Sequence, residues 1–588
     1  MSHSLFEYVR AYLTSHGPRS GLNPPRMTVP TTERRWGQRL HSILALGSFL
    51  AAAIAPAPAI AAEEIRFFYS VAALTLRVES LAAFAADGTT NANIRDFLRV
   101  VKPTEEEKAK FQRTLVEPVE IDPLLLSRLL NTDEGDRLLT VLGNTIEIQG
   151  GINGKPALRA AMIEAANEPG GLTVLGFFEQ LPVNMQINLE KALWRAKQAE
   201  YLVGATERLV AVTKAIGLEE AEGYPAVDFA QLPNPATPGS ATVVRDRWDL
   251  EDPSRDRSFY VDVYRPQSQE TGEIPVVVFS HGLTDEPESF SELGELLASQ
   301  GFLVVMPQHP GSDELQAAAL IDGTSRQIFH RNEFIDRPLD ISYTLNELER
   351  RNEAEFGGRL NLTNVGSMGH SFGGYTALAT AGATLDFEHL ERDCTPTGPG
   401  RFNTALLLQC RALKLEQPLP NLKDDRVGSV FLANPVNASI FGPNGLANVT
   451  VPVMVGAGSY DLSTPFVFEQ ARSFPWLANA PESFLLLIEG DSHVPIPDLD
   501  GGSYFAVTSV IGLTLPSEDL RDYYAEPFQA AFAQVFVAGN EEYRAYLNPA
   551  YAAYLSQDRD FDAVLIPQAS APALQAAFAA EAEEFRKL

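Results

Sequence analysis

The chain has 588 residues, 45% of them apolar, enough for about two or three folded domains. Asp and Glu total 76 against 46 Lys and Arg, a formal charge of −30. Nucleic acid and anionic membrane recruit clustered Lys and Arg, so this balance excludes both as partners, and the dispersed carboxylates read as a solvated surface.

Residues 1–62 read as an export leader. Arg34, Arg35 and Arg39 precede an apolar run from Ile43 to Ile54, and small residues and prolines lead to Ala59-Ile60-Ala61. A charged segment, an apolar segment and a small-x-small site form a signal peptide, cleaved near Ala61 or Ala62. The run is short for a bilayer span, which makes an uncleaved anchor the weaker alternative. Residues 1–26 fit poorly ahead of such a leader, so Met27 is the expected start. The Arg34-Arg35 pair leaves the export route open. No later stretch holds eighteen uninterrupted apolar residues, so no transmembrane span is expected in the mature chain.

Residues 63–220 read as a mainly α-helical accessory domain. Ile65, Phe67 and Tyr69 alternate, as do Leu74, Leu76 and Val78, predicting two short strands. Helices are predicted over 94–101, 104–115, 122–130, 135–142 and 155–166, with Thr104 and Asp122-Pro123 as start signals. A last amphipathic stretch runs from Ile187 and is expected to stop at Gly217, with a bend or break at Gly204. The stretch has no histidine and no Ser/His/Asp constellation. It is expected to offer a lid or a lipid-facing surface, or to act only in packing. Pro225, Pro233, Pro235, Pro238 and Gly239 mark 221–240 as a linker.

From 241 to 588 the period changes. Thr242–Arg247 and Phe259–Tyr264 predict an antiparallel hairpin. Apolar runs then alternate with helical segments: Pro275–Phe279, Leu303–Pro307, Val365–Met368, Val430–Ala433, Pro452–Val455 and Phe484–Ile488. Continuous apolar runs suit strands covered on both faces, and the alternation predicts a mostly parallel sheet flanked by helices. Active sites of such sheets lie at the carboxyl ends of the strands. Residues 384–426 are expected to form a cap insertion.

The strand ending at Met368 runs into Gly369-His370-Ser371-Phe372-Gly373-Gly374. G-x-S-x-G between strand and helix is a nucleophile elbow, in which Gly369 and Gly373 leave room for a tight turn that exposes the Ser371 hydroxyl. A serine needs a base, and the base a carboxylate, in the order Ser, acid, His. Only His389 and His493 follow Ser371; His389 lies in a helical segment close behind the elbow, whereas His493 follows the last core strand. Asp461 is the first carboxylate past the preceding strand, with Asp491 its nearest rival. The oxyanion donors are expected to be the N–H groups of Phe372, after the nucleophile, and Leu283, in Ser280-His281-Gly282-Leu283. His281 precedes the serine and is expected to brace its loop; His309 is expected to line the pocket or serve structure. Cys394 and Cys410 are expected to pair in an oxidising compartment, closing a loop worth about 3 kcal/mol; two buried thiols are the alternative. No CxxC and no His/Cys cluster has zinc spacing, and no cofactor or metal is expected.

Phe279–Leu283 and Gly369–Gly374 resemble the platelet-activating-factor acetylhydrolase family, and Arg337-Pro338-Leu339-Asp340-Ile341 resembles both that group and dienelactone-hydrolase-like proteins. The resemblance covers about residues 250–540. It implies an α/β-hydrolase fold and an esterase acting on short or oxidised acyl chains of lipids, with Ser371, Asp461 and His493 as triad and Leu283 and Phe372 as oxyanion donors. Asp122–Arg128 and Ala157–Ala161 resemble the N-terminal domain of cyanobacterial secreted α/β-hydrolases. Unlike the acetylhydrolases, this chain carries that domain and has Thr284-Asp285-Glu286 after Leu283. The expected activity is therefore a secreted serine carboxylic-ester hydrolase on a small-molecule or lipid ester. A dienelactone, polyester or general carboxylesterase, an inactive binding protein and a peptidase are the alternatives.

Overall fold

The computed structural model describes residues 62–69, 72–101, 103–119, 121–267, 272–395, 402–493 and 518–587. The expected leader, Ala62 excepted, lies outside the described residues. The chain divides into two compact units, one of residues up to Ser127 with Leu139–Glu190, the other of Arg128–Leu138 with Lys191–Leu588.

The first unit is helical as expected but also holds a five-stranded sheet. The strands β1 (Glu64–Tyr69), β2 (Ala72–Arg77), β3 (Ile146–Ile148), β4 (Ile152–Asn153) and β5 (Met185–Asn188) are ordered β2-β1-β5-β3-β4. The predicted β1 and β2 pair antiparallel. β3, β4 and β5 were not expected: they are short and carry Glu147, Gln186 and Asn188, so no apolar run marks them. The helix Glu105–Val116 starts at Thr104 through a reciprocal capping box with Glu107. It packs with the helices Val78–Asp87 and Ala92–Val101 through Phe84, Phe97, Phe111 and Leu115.

The helix Leu189–Gly223 passes through Gly204 and Gly217, correcting the predicted stop. A Cβ at Gly217 would lie 2.5 Å from a Val564 methyl, so this glycine admits a close helix–strand approach and does not end the helix. Leu209 and Val210 join the core of the second unit, which explains why the contacts group residues 191–223 with it rather than with the region before 190. Within 221–240, Phe229 is buried against Tyr551, so that stretch is partly packed.

The second unit is built on β6 (Thr242–Asp252), β7 (Arg257–Gln267), β8 (Ile274–Ser280), β9 (Leu303–Pro307), β10 (Leu360–His370), β11 (Val427–Ala433), β12 (Val453–Gly458), β13 (Phe484–Ile488) and β14 (Ala563–Pro567). Their order is β14-β13-β12-β11-β10-β8-β9-β7-β6. Neighbours from β9 to β13 run parallel, and β6, β7 and β14 are antiparallel additions at the two edges. Every residue of β9 and β13 is buried. Alternate β13 residues serve opposite faces: Leu485 and Leu487 join one core, Phe484, Leu486 and Ile488 the other. This is an α/β-hydrolase fold. Between the elbow helix and β11, the segment 384–426 carries the helix Phe387–Cys394, and Cys394 is disulfide-bonded to Cys410.

Candidate active site

β10 delivers the nucleophile elbow. Its last residue, His370, leads to Ser371, and the helix Phe372–Thr380 begins at once. Ser371 has φ 55°, a left-handed conformation a serine adopts only when its surroundings impose it. Two hydrogen bonds impose it here: Ser371 N–H donates to Ala433 O at 2.9 Å, and Val436 N–H donates to Ser371 O at 3.1 Å. A Cβ at Gly373 would collide with the Ser280 carbonyl, and one at Gly369 with the Gly373 carbonyl. The two glycines therefore let the helix and strand close up behind the serine.

The three loops expected to carry the triad converge. Ser371 Oγ lies 2.9 Å from His493 Nε2, and His493 Nδ1 lies 2.7 Å from Asp461 Oδ2. Asp461, which follows β12, is buried and accepts from the backbone of Ser463 and Thr464, each at 2.7 Å, and from Thr464 Oγ1 at 2.7 Å. Burial pushes its carboxyl upward, but the neighbouring His493 and these donors outweigh burial and hold it below the ordinary carboxylate range. Asp461, not Asp491, is the carboxylate set against His493. His370 Nε2 lies 2.9 Å from the His493 carbonyl, which can only accept, so Nε2 carries the proton. Burial, then His493, pushes His370 down to about 3, which keeps that imidazole neutral.

The loop after β8 is held from below. Arg337, fully buried, donates to the carbonyls of His281 at 2.7 Å and Gly282 at 2.9 Å, and to Ser312 Oγ at 2.8 Å. His281 Nε2 accepts from His309 N–H at 3.1 Å, so its proton sits on Nδ1 and is donated to Gly282 O at 2.8 Å. The Gly282 carbonyl thus accepts two donors. In a trans peptide the Leu283 N–H points the opposite way. A Cβ on Gly282 would lie 3.6 Å from Ser371 Cβ, so this peptide borders the nucleophile. The Arg337 guanidinium also lies 4.5 Å from the centroid of the Phe372 ring. Phe372 opens its helix, so its N–H has no intrahelical acceptor. His309 is fully buried, between Ser280 Oγ at 2.9 Å and Asp340 Oδ2 at 3.0 Å, which makes it a brace and not a pocket residue. Asp340 in turn receives Arg255 at 2.9 Å and Arg257 at 2.7 Å. His389 lies in the segment 384–426, against Arg472 and Trp476.

Sequence reasoning quoted Arg337 and Asp340 only as part of a family string, and it missed Asn434 and Glu469. Glu469 is buried and accepts from the backbone of Asn437 and Ala438 and from Gln409, tying the segment 384–426 to the loop after β12. Beside His370 and His493 lies a cavity of about 220 Å³ whose lining includes Phe279, Phe290, Phe431, Asp285 and Asp491. Among the described residues no group of His, Cys, Asp and Glu is arranged to hold a metal ion, and no helix is long and apolar enough to cross a membrane.

Two family models match parts of the chain. One, described as an alpha/beta hydrolase of unknown function (DUF1400), matches residues 61–188. The chlorophyllase model matches residues 253–391, a span that includes the elbow and the loop after β8. No curated protein matches the chain. The nine-stranded sheet and both matches agree on an α/β-hydrolase fold.

Proposed function

We propose that the protein is an exported serine carboxylic-ester hydrolase that works through an acyl-enzyme on lipid or short-acyl esters, as the resemblance to platelet-activating-factor acetylhydrolases implies. The observation that carries the proposal is the line of contacts Ser371 Oγ, His493 Nε2, His493 Nδ1, Asp461 Oδ2 at 2.9 and 2.7 Å. His493 Nε2 takes the hydroxyl proton as Ser371 Oγ attacks the ester carbonyl. The Leu283 and Phe372 N–H groups receive the oxyanion, aided by the positive end of the helix Phe372–Thr380. His493 returns the proton to the departing alcohol, leaving acyl-Ser371. Water then gives a proton to His493 and its oxygen to the acyl carbon, and the acid leaves as Ser371 recovers its proton. Asp461 stays ionised and fixes the tautomer.

Further support comes from the match to chlorophyllase, an esterase family. The Cys394–Cys410 bond fits an oxidising compartment, as export requires. The test is a panel of acyl esters differing in chain length and head group, run on wild type and Ser371→Ala, with fluorophosphonate labelling of both. Wild type alone should turn over and take the label, and the chain-length optimum separates lipid-type from dienelactone, polyester and general esterases. Equal turnover by the two proteins rejects Ser371 as nucleophile; absence of labelling in wild type favours a binding protein.

A further inference from the structure

β11 ends at Ala433, and the next residue, Asn434, has φ 44°. Left-handed backbone at a non-glycine residue persists only where the surroundings fix it, and Asn is among the few side chains that tolerate it. Asn434 is buried, and its polar groups join the end of β12 to the loops that carry Asp461 and His493. Its N–H donates to Gly456 O at 3.0 Å. Its Oδ1 accepts from Gly458 N–H at 2.8 Å, at the end of the strand that leads to Asp461. Its Nδ2 donates to Ser492 O at 3.2 Å, the peptide that enters His493. The residue before it, Ala433, accepts the Ser371 N–H at 2.9 Å. The amide orientation needs no choice, because one neighbour can only donate and the other can only accept.

We infer that Asn434 is a positioning residue that sets the His493 loop against the Asp461 loop and the nucleophile elbow, an inference that rests on the serine-hydrolase reading. The site asks for a short side chain that tolerates φ 44° and both accepts and donates. Glycine satisfies only the backbone. Aspartate satisfies the backbone and the Gly458 bond but turns a second acceptor toward the Ser492 carbonyl. Alanine satisfies none of these demands. The hydrogen bonds of Asn434 go to Gly456, Gly458, Thr464 and Ser492 and not to the Ser371 hydroxyl or the His493 ring, so its effect passes through loop placement.

The experiment compares Asn434→Gly and Asn434→Asp with wild type, using a short acyl ester for kcat and KM, a fluorophosphonate for the labelling rate of Ser371, and thermal melting for the fold. Wild-type labelling tests the serine-hydrolase reading by itself; if it fails, that reading falls whatever the variants do. With wild type labelled, both variants should lower kcat and the labelling rate about 10- to 100-fold with KM nearly unchanged, the penalty for sub-ångström misplacement of a catalytic group. Asn434→Gly relieves the backbone strain but leaves the Gly458 N–H and the Ser492 carbonyl without their partner, so it should melt below wild type yet stay folded at the assay temperature, where the melting curve separates a loss of rate from unfolding. A wild-type kcat and labelling rate in either folded variant overturns the inference, as does a rise in KM that accounts for the whole loss in kcat/KM.

Discussion

Arg337 donates to the Gly282 carbonyl at 2.9 Å, and that carbonyl belongs to the same peptide as the Leu283 N–H. A fully buried guanidinium thereby sets the direction of a backbone donor on the far side of the peptide plane. Burial pushes Arg337 down to about 10, against the pull of Glu333 and Asp340, so it remains charged at neutral pH. Lysine keeps the charge but has no planar fork to reach the His281 and Gly282 carbonyls and Ser312 together. Arg337→Lys should therefore fold and lose about 10- to 100-fold in kcat, less than removal of an oxyanion donor outright. Arg337→Met leaves buried carboxylates short of a cation and should cost about 3–5 kcal/mol in urea unfolding. An unchanged kcat in folded Arg337→Lys would remove the clamp from the mechanism.

Asp461→Asn tests the acid independently of the nucleophile. Asparagine is nearly isosteric and can keep the acceptor side of the bonds from Ser463 and Thr464. Its amide nitrogen would face His493 Nδ1 as a donor and force the proton onto Nε2, where it meets the Ser371 hydroxyl. The expected result is a fall of about 10⁴-fold in kcat with melting close to wild type. A loss of tenfold or less would point to another carboxylate, with Asp491→Asn as the next variant to assay.

The central strands and the elbow were legible because their signals are local. Val276–Phe279, Leu303–Pro307 and Phe484–Ile488 are apolar runs that only a doubly covered strand explains, and Ser371 sits in a turn whose glycines are adjacent in sequence. Asp461 and His493, which lie in line with Ser371, could be singled out because strand order restricts where an acid and a base can fall. What escaped depends on contacts between distant segments. Gly217 reads as a helix stop until Val564, almost 350 residues later, is seen against it. Asn434 looks like a turn residue, and its value lies in joining Gly458 to Ser492. β3 and β5 contain Glu147 and Gln186, whose side chains bond each other at 2.9 Å, a pairing without a hydrophobic signature.

Reduction of the Cys394–Cys410 bond should lower stability without abolishing the fold. The loop it closes spans 16 positions, for which chain entropy gives about 3 kcal/mol. Gln409, next to Cys410, also donates to buried Glu469 at 2.8 Å, so the segment keeps a second tether. Cys394→Ser/Cys410→Ser should lose about that amount in denaturant titration while retaining Ser371 labelling. Complete unfolding of the double variant would mean that the bond, and not the Glu469 contacts, holds this segment in place.

Asp491 sets a pH dependence of its own. Burial pushes its carboxyl from 3.8 up to about 7, with Arg521 pulling the other way. An acid whose value is raised in the folded state contributes stability that is complete below about 3.8 and lost as pH climbs through about 7. The interval corresponds to about 4 kcal/mol as an upper bound. Asp491→Asn removes the titration while keeping the shape. The variant should melt with wild type near pH 4 once both proteins are compared in the same buffer, and should melt higher than wild type from about pH 7 upward. Parallel melting curves across that whole range would show that Asp491 is ionised in the folded protein and that Arg521 compensates its burial in full.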